Sequence, residues 1–431
     1  MAIVSAPGAG APAAPAQAAD RSAAAAGGLR WPFRTKLGPL PLPPKRVRLW
    51  AVAVAIIGLV PIDTAIINGG ADWPAFWSAG ATAGTLNLMD PAKHAAWQAS
   101  HGMANAYFFW LYPPPDAYLW WPFAQIPIAI AFVANLVLML GLVAVAAWLL
   151  TRIFDLSPEA AFLAAFAWTP ATGPAIMGQN APLALVLALW AIDAMRRDRH
   201  LEAGLACGLM MYKPTLALPL IGLLVLRIRW RELIVVAAVL VAAYFVGVAA
   251  AAGDWRWPMN WWNGSQPLLA LDLAHNADKA ISIPGVIGRI PGIPGLIPNL
   301  IAVAIVLLSL RGLRRAPIAE AGAAACLLAL AVGPRVWGYE AGLMLPILAW
   351  AIAGGLSEPW RTRLIFLAIP MSLLWLVSYY TVVSGIALLV AAATVMWLWR
   401  WRPLGPEPRI EAESVAAAGA GEGVEAWAGA V

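Results

Sequence analysis

Apolar residues run through this chain in continuous stretches of about 20, the length that crosses a bilayer as a helix, and short clusters of basic residues separate them. The clusters are Lys45-Arg46-Arg48, Arg196-Arg197-Arg199, Arg227-Arg229-Arg231, Arg311-Arg314-Arg315, Arg361-Arg363 and Arg400-Arg402. Strands of a transmembrane barrel alternate apolar and polar positions over about 10 residues, and these runs do not alternate. The pattern predicts an all-α polytopic membrane bundle. Spans are expected near 47–67, 128–150, 160–176, 181–195, 233–252, 299–310, 317–332, 341–356, 364–380 and 383–399, about ten in number, with short half-helices beside them. Basic residues flanking spans favour the cytoplasm. With the clusters inside, all but six of the 28 lysines and arginines are cytoplasmic, the six being Lys93, Lys213, Arg256, Lys279, Arg289 and Arg335.

Two long polar and aromatic segments, Asn68–Pro115 and Gly253–Pro298, then fall outside, with shorter outer turns at Gly178-Gln179-Asn180 and Gly333–Glu340. Both ends of the stretch between Arg199 and Arg227 should lie inside, yet it is too short for two spans. It must enter the membrane and return, and Lys213-Pro214 marks its midpoint. Proline removes a backbone donor and ends a helix. Two short helices meeting at Lys213 leave backbone groups that only protein or a wet cavity can satisfy at that depth, so Lys213 is a site candidate. Residues 1–46 and 403–431 are rich in Ala, Pro and Gly and read as disordered cytoplasmic tails. Residues 47–402 form the membrane domain.

Composition agrees. Hydrophobic residues make up 62% and charged residues 12%, and the mean hydropathy is +0.75, which leaves too little polar surface to cover a soluble globule. The net charge of +6 comes from arginines at span ends rather than from a basic face, which argues against a nucleic-acid partner. Cys207 and Cys326 lie in apolar runs and read as packing residues. No histidine spacing suits a metal, and phosphate-loop and nucleophile-elbow signatures are absent. No metal or cofactor is expected.

Candidate chemistry lies at the outer boundary. Asp72 opens the run Asp72-Trp73-Pro74-Ala75-Phe76-Trp77-Ser78-Ala79-Gly80, and a carboxylate walled by aromatics can have its pKa raised and act as a general base. The alternative reading is structural, a helix cap or an ion-pair partner. Asp63, near the outer end of the first span, is a second choice for the base, since carboxylates within a membrane usually face a partner or cavity. Tyr112-Pro113-Pro114-Pro115-Asp116 reads as the start of a short helix. Among the 24 tryptophans, many suit an interfacial belt, while Trp255, Trp257, Trp261 and Trp262, with Trp73 and Trp77, are dense enough to offer a stacking surface for a sugar or isoprenoid.

Several of these pieces, in this order, resemble glycosyltransferase family 87: Asp72 with its aromatic-Ser-Ala-Gly run, Tyr112-Pro-Pro, Gly178-Gln179-Asn180, Ala203-Gly204-Leu205 leading to Lys213-Pro214, and Gly333-Pro334-Arg335 through Tyr339-Glu340. The resemblance implies a GT-C-type bundle, a polyprenyl-phosphate sugar donor and Asp72 as the base that activates an acceptor hydroxyl, with inversion at the anomeric carbon. It implies an active site on the outer face of a bacterial plasma membrane, both termini cytoplasmic, and a glycan, lipid or protein acceptor. Lys213, Arg335 and Lys279 become candidates for the leaving phosphate, and Gln179, Asn180, Tyr339 and Glu340 for the sugar or phosphate. Many members carry a Trp-Asp-His-His-like run where this chain has Trp337-Gly338-Tyr339-Glu340, which leaves mannose as one candidate sugar among several. A lipid-linked-sugar flippase also needs a broken helix and buried charge, but no internal repeat accompanies Lys213-Pro214.

Overall fold

The structure is a computed structural model that describes residues 45–59, 70–103, 108–355, 363–364, 368, 371–372 and 379–401. Asp63, Arg361, Arg402, nearly all of both expected tails and most of the expected span 364–380 lie outside the described residues. The architecture is all-helical. In chain order the helices are α1 Lys45–Leu59, α2 Trp73–Thr82, α3 Pro91–Ser100, α4 Pro114–Trp120, α5 Ile128–Phe154, α6 Pro158–Ala167, α7 Thr169–Ile176, α8 Ala181–Arg196 and α9 His200–Leu209. They continue as α10 Pro214–Leu226, α11 Trp230–Ala250, α12 Trp257–Asn276, α13 Ile283–Ile287, α14 Leu296–Arg315, α15 Ile318–Val332, α16 Leu345–Trp350 and α17 Tyr379–Arg400.

Three of these, α5, α11 and α14, are long and apolar enough to cross a membrane. Their outward faces are apolar: Val137 and Val145 on α5, Val241 and Phe245 on α11, and Leu300 and Leu307 on α14 are all exposed. A soluble protein would cover such faces, whereas lipid accepts them. The chain is a membrane protein.

The expectation of about ten full spans is not met by single helices. Proline and local breaks divide the apolar runs: the expected span 160–176 is α6 and α7, parted at Trp168 (φ −79°, ψ 82°). The run 341–356 starts as a 3₁₀ turn, Gly338–Met344, and ends in a π-turn containing Gly354 at φ 96°. The break at Lys213 is as the sequence predicts. There α9 tightens into a 3₁₀ turn over Met210–Tyr212, and α10 starts at Pro214. The two long segments expected outside differ from the expected loops, because α2 and α3 occupy the first and the 20-residue α12 the second.

The core layer beside the site is aromatic. Trp73, Phe76, Trp120 and Phe132 are fully buried, Trp73 and Trp120 meet edge to face at 5.9 Å, and the Trp73 indole donates to the Ile128 carbonyl at 3.2 Å. Trp77 is half-buried and donates to the Ile126 carbonyl. Trp257 is buried and donates to the Tyr244 carbonyl at 3.0 Å, while Trp255 and Trp262 are exposed. The expected common stacking surface of these tryptophans is therefore not formed; Trp73 is spent on packing.

The helices α8, α10 and α15 organise the molecule. Nearly every residue of α15 between Glu320 and Ala331 is buried, as its all-round apolar and small-residue composition requires. Each of the three runs from a polar cluster to an arginine-rich end, about 20–24 Å at 1.5 Å per residue. At that end Arg152 and Arg197 both pair with Asp193, at 2.8 and 3.1 Å. Arg229 pairs with Asp198 at 2.8 Å, the Arg227 Nε donates to the Leu313 carbonyl, and Arg400 pairs with Glu320. These contacts gather Arg152, Arg197, Arg227, Arg229 and Arg400 at that end of the helices. Against α9, the helix α11 packs closely because Gly204 and Gly208 carry no side chain: a Cβ at either would lie 2.5 or 2.7 Å from Val235 or Val239.

Candidate active site

Opposite the arginine end, four chain breaks converge: the start of α2, the turn before α8, the start of α10 and the turn after α15. Asp72 stands at the N-cap position of α2, yet its side chain makes no capping hydrogen bond. Its backbone N–H donates to the Met177 carbonyl at 2.9 Å, and its Oδ2 accepts from Gln179 Nε2 at 2.9 Å. Gly178 makes this approach feasible. It holds φ +81°, and a Cβ there would lie 2.8 Å from the Trp73 Cβ, so the turn before α8 can rest on the start of α2 only with glycine at this position. Asp72 enters none of the ion pairs among the described residues. The structural alternatives of cap and ion pair are both unfilled. Burial pushes the Asp72 carboxyl above the ordinary carboxylate range, opposed by the Gln179 hydrogen bond and the charge of Lys279.

Asn180 lies next to Gln179 and is fully buried. Its Oδ1 accepts from the Tyr112 hydroxyl at 3.3 Å and its carbonyl from the Tyr212 hydroxyl at 3.1 Å. Lys213 Nζ sits 5.6 Å from the Tyr112 ring centre and 5.3 Å from that of Tyr339, in cation–π range. It pairs with Glu340 Oε1 at 3.5 Å. The other Glu340 oxygen accepts the Trp337 N–H at 3.0 Å, fixing the 3₁₀ turn. Arg335 Nε donates to Asp272 Oδ2 at 2.7 Å. Asp272 also accepts from Asn276, and Asn276 accepts from Lys279 Nζ. One hydrogen bond from the Ile281 N–H to the Val336 carbonyl, 3.0 Å, ties the Lys279 segment to the Arg335 turn.

All eight predicted site residues thus belong to one polar cluster, Asp72 joined to Gln179, Asn180 to Tyr112, Lys213 to Glu340 and Tyr339, and Arg335 with Lys279 through Asp272 and Asn276. Two of its buried atoms, Gln179 Oε1 and Asn180 Nδ2, have no hydrogen-bond partner among the described residues, and Lys213 Nζ has only its long contact with Glu340 and the two tyrosine faces. Buried polar atoms left unmet call for an explanation.

The sequence reading passed over Asp272 and Tyr212, and took Asp116 only as part of the start of a short helix. Asp272, Asn276 and Lys279 are four and three residues apart, one helical face, a signal hidden when their segment is read as a loop. Asp116 is buried beneath the cluster, where its carboxylate accepts weakly from the Trp120 indole at 3.5 Å; burial pushes its carboxyl up to about 7.

A model of glycosyltransferase family 87 matches residues 110–334, just over half of the 431-residue chain. The chain belongs to glycosyltransferase family 87. It is a glycosyltransferase, with a sugar donor and an acceptor. The family 87 match takes in Tyr112, Gln179, Asn180, Lys213, Asp272 and Lys279, and stops one residue before Arg335; Asp72, Tyr339 and Glu340 join the site through the fold, outside the matched residues. No curated protein and no solved structure matches the chain.

Proposed function

We propose that this family 87 enzyme is an inverting transferase that moves a sugar from a polyprenyl-phosphate donor to an acceptor hydroxyl at the outer face of a bacterial plasma membrane. The observation that carries the reading is Asp72: a half-buried carboxylate at a helix start that, among the described residues, neither caps nor enters an ion pair, accepts from Gln179 and feels the charges of Lys279 and Lys213. Asp72 takes the proton of the acceptor hydroxyl. The freed oxygen forms the new bond to the anomeric carbon as the bond from that carbon to the donor phosphate oxygen breaks. The polyprenyl phosphate leaves with the electron pair, and the configuration inverts.

Developing charge on that phosphate needs preorganised donors. Asn180 Nδ2, buried with no hydrogen-bond partner among the described residues, and Lys213 Nζ, held only at 3.5 Å by Glu340, meet the need, with Arg335 and Lys279 at the rim. Tyr339, Glu340 and Gln179 are suited to sugar hydroxyls. The acceptor is a glycan, lipid or protein outside the cell, and mannose is the first sugar to try. The GT-C-type arrangement of about ten membrane passes across 47–402, with short helix pairs counting as passes and both tails cytoplasmic, is part of the same proposal. It is favoured by the gathering of the arginines at the end of the molecule opposite Asp72.

The test is transfer of label from radiolabelled polyprenyl-phosphate mannose, glucose or arabinose to membrane lipid extract by the purified protein, compared with Asp72→Asn. Transfer by the wild type, lost in a folded Asp72→Asn, supports the reading. Movement of labelled lipid between leaflets without transfer to any acceptor would overturn it in favour of a flippase.

A further inference from the structure

The helix α12 lies across the ends of its neighbours. Its 20 residues cover about 30 Å at 1.5 Å per residue, and its contacts stay at the Asp72 end of the molecule. At its start Trp257 packs on Gly247 in the last turn of α11, and the Trp257 indole donates to the Tyr244 carbonyl. In its middle Gly264 lies beside the Met89 carbonyl. Near its end Asp272 pairs with Arg335, in the turn after α15. A helix that meets the end of α11 and then the end of α15 runs over them rather than alongside.

Apolar residues occupy two sides of α12. Trp257, Ser265 and Asp272, at helical spacing, form the side buried against the protein. The outward side carries Met259, Trp262 and Leu273, which also share a face and are 57%, 57% and 43% exposed. Gln266 stands between them, and its Nε2 turns back to donate to the Trp262 carbonyl at 3.2 Å. Asn260 and Asn263, both exposed, lie towards one edge of this stripe. Water disfavours an apolar stripe of this length.

The lipid-facing surface of α11 continues to the start of this helix. Phe245 is exposed on that surface, and the ring of Trp255, itself exposed, meets it edge to face at 5.9 Å. The Tyr244 hydroxyl donates to the Trp255 carbonyl at 2.7 Å, which ties Trp255 to the last two turns of α11. Arg256, also exposed, follows directly. An indole and a basic side chain together at the end of a span suit the headgroup layer, where the ring reaches hydrocarbon and the cation meets phosphate.

We infer that α12 is an interfacial helix that rests in the lipid headgroup layer at the Asp72 end of the molecule, with Met259, Trp262 and Leu273 dipping into the acyl boundary and Trp255 and Arg256 as the anchor beside α11. Such helices sink their apolar face about 5–10 Å into that boundary. The partner is a lipid surface, and α12 is braced twice, by lipid along its stripe and by Arg335 at Asp272. This assignment does not rest on the transferase reading.

The test is spin labelling of the full chain in nanodiscs of phosphatidylethanolamine and phosphatidylglycerol. The native cysteines, Cys207 and Cys326, are both buried and are replaced by alanine. Single labels are then placed by Met259→Cys, Trp262→Cys or Leu273→Cys, with Val241→Cys on the outward face of α11 as the lipid reference. Collisions are measured with oxygen, which concentrates in the bilayer, and with a nickel chelate, which stays in water. The expected result is a preference for oxygen at all three α12 positions, as at Val241→Cys, in proteins of unchanged thermal midpoint. Labels that meet the nickel chelate as readily as oxygen would place the stripe in water and overturn the inference. Labels that meet neither would show protein, such as a second copy of the chain, covering the stripe, and would overturn it equally. Loss of sugar transfer in every assay would leave the collision result, and this assignment, untouched.

Discussion

Lys213 Nζ lies 3.5 Å from Glu340 Oε1, and both side chains are only 6% exposed. The pair joins the start of α10 to the turn after α15, and each partner is the other's compensation in a place with little water. Removing one member of a buried pair leaves an uncompensated charge, at about 3–5 kcal/mol. Glu340→Gln, which can still accept the Trp337 N–H, should therefore lower the thermal midpoint sharply. The double variant Lys213→Met with Glu340→Gln should recover most of the loss, as read by tryptophan fluorescence during heating. Equal midpoints for the two variants would refute the pairing.

In the proposed mechanism Asp72 can take the acceptor proton only when ionised. Burial lifts its pKa and the Gln179 N–H holds it down, so the transfer rate should fall as pH drops through a value above the ordinary 3.8. Gln179→Leu removes the lowering contribution and should move this acid limb to higher pH. Asp72→Asn should lower kcat about 10²–10⁴-fold, the usual contribution of a general base, and abolish the limb. A limb that stays in place in Gln179→Leu would count against the assignment.

Asp116 makes a stability prediction of a different sign from that of a paired carboxylate. Its folded pKa is raised to about 7 from 3.8 by burial, against the lowering effects of Trp120 and Lys213. The stability contributed by the neutral acid is complete below the unfolded value and disappears as pH rises through the folded one. The wild type should lose stability between about pH 4 and pH 7, by up to about 1.4 kcal/mol per pH unit, relative to Asp116→Asn. Parallel midpoint curves for the two proteins would show that Asp116 ionises normally.

At Gly178 the backbone sets a limit that no side chain can meet. Alanine there must hold φ +81° and place its Cβ 2.8 Å from that of Trp73. Gly178→Ala should cost about 1–3 kcal/mol, and, by pushing Gln179 away from Asp72, should shift the acid limb of transfer in the same direction as Gln179→Leu. An unshifted limb would mean that Gln179 keeps its place without the close approach.

Much of this protein is readable from residue order alone. Continuous apolar runs and basic clusters establish a helical membrane protein, because lipid leaves the backbone few other ways to satisfy its hydrogen bonds. The Lys213-Pro214 break is equally local, since proline cannot continue the ladder of the preceding helix. The order of Asp72, Gln179, Lys213, Arg335 and Glu340 along the chain pointed to a site, but residues more than 100 positions apart meet only through packing. Gln179 reaches Asp72 because Gly178 rests on Trp73, and Asp272 reaches Arg335 because a segment without a clear apolar face folds as α12. The division of apolar runs into short helix pairs and the retirement of Trp73 into the core were likewise decided by tertiary contacts. Sequence patterns record what each segment needs from its solvent; which side chains then face one another depends on shape complementarity between segments, and that exists only once the chain is packed.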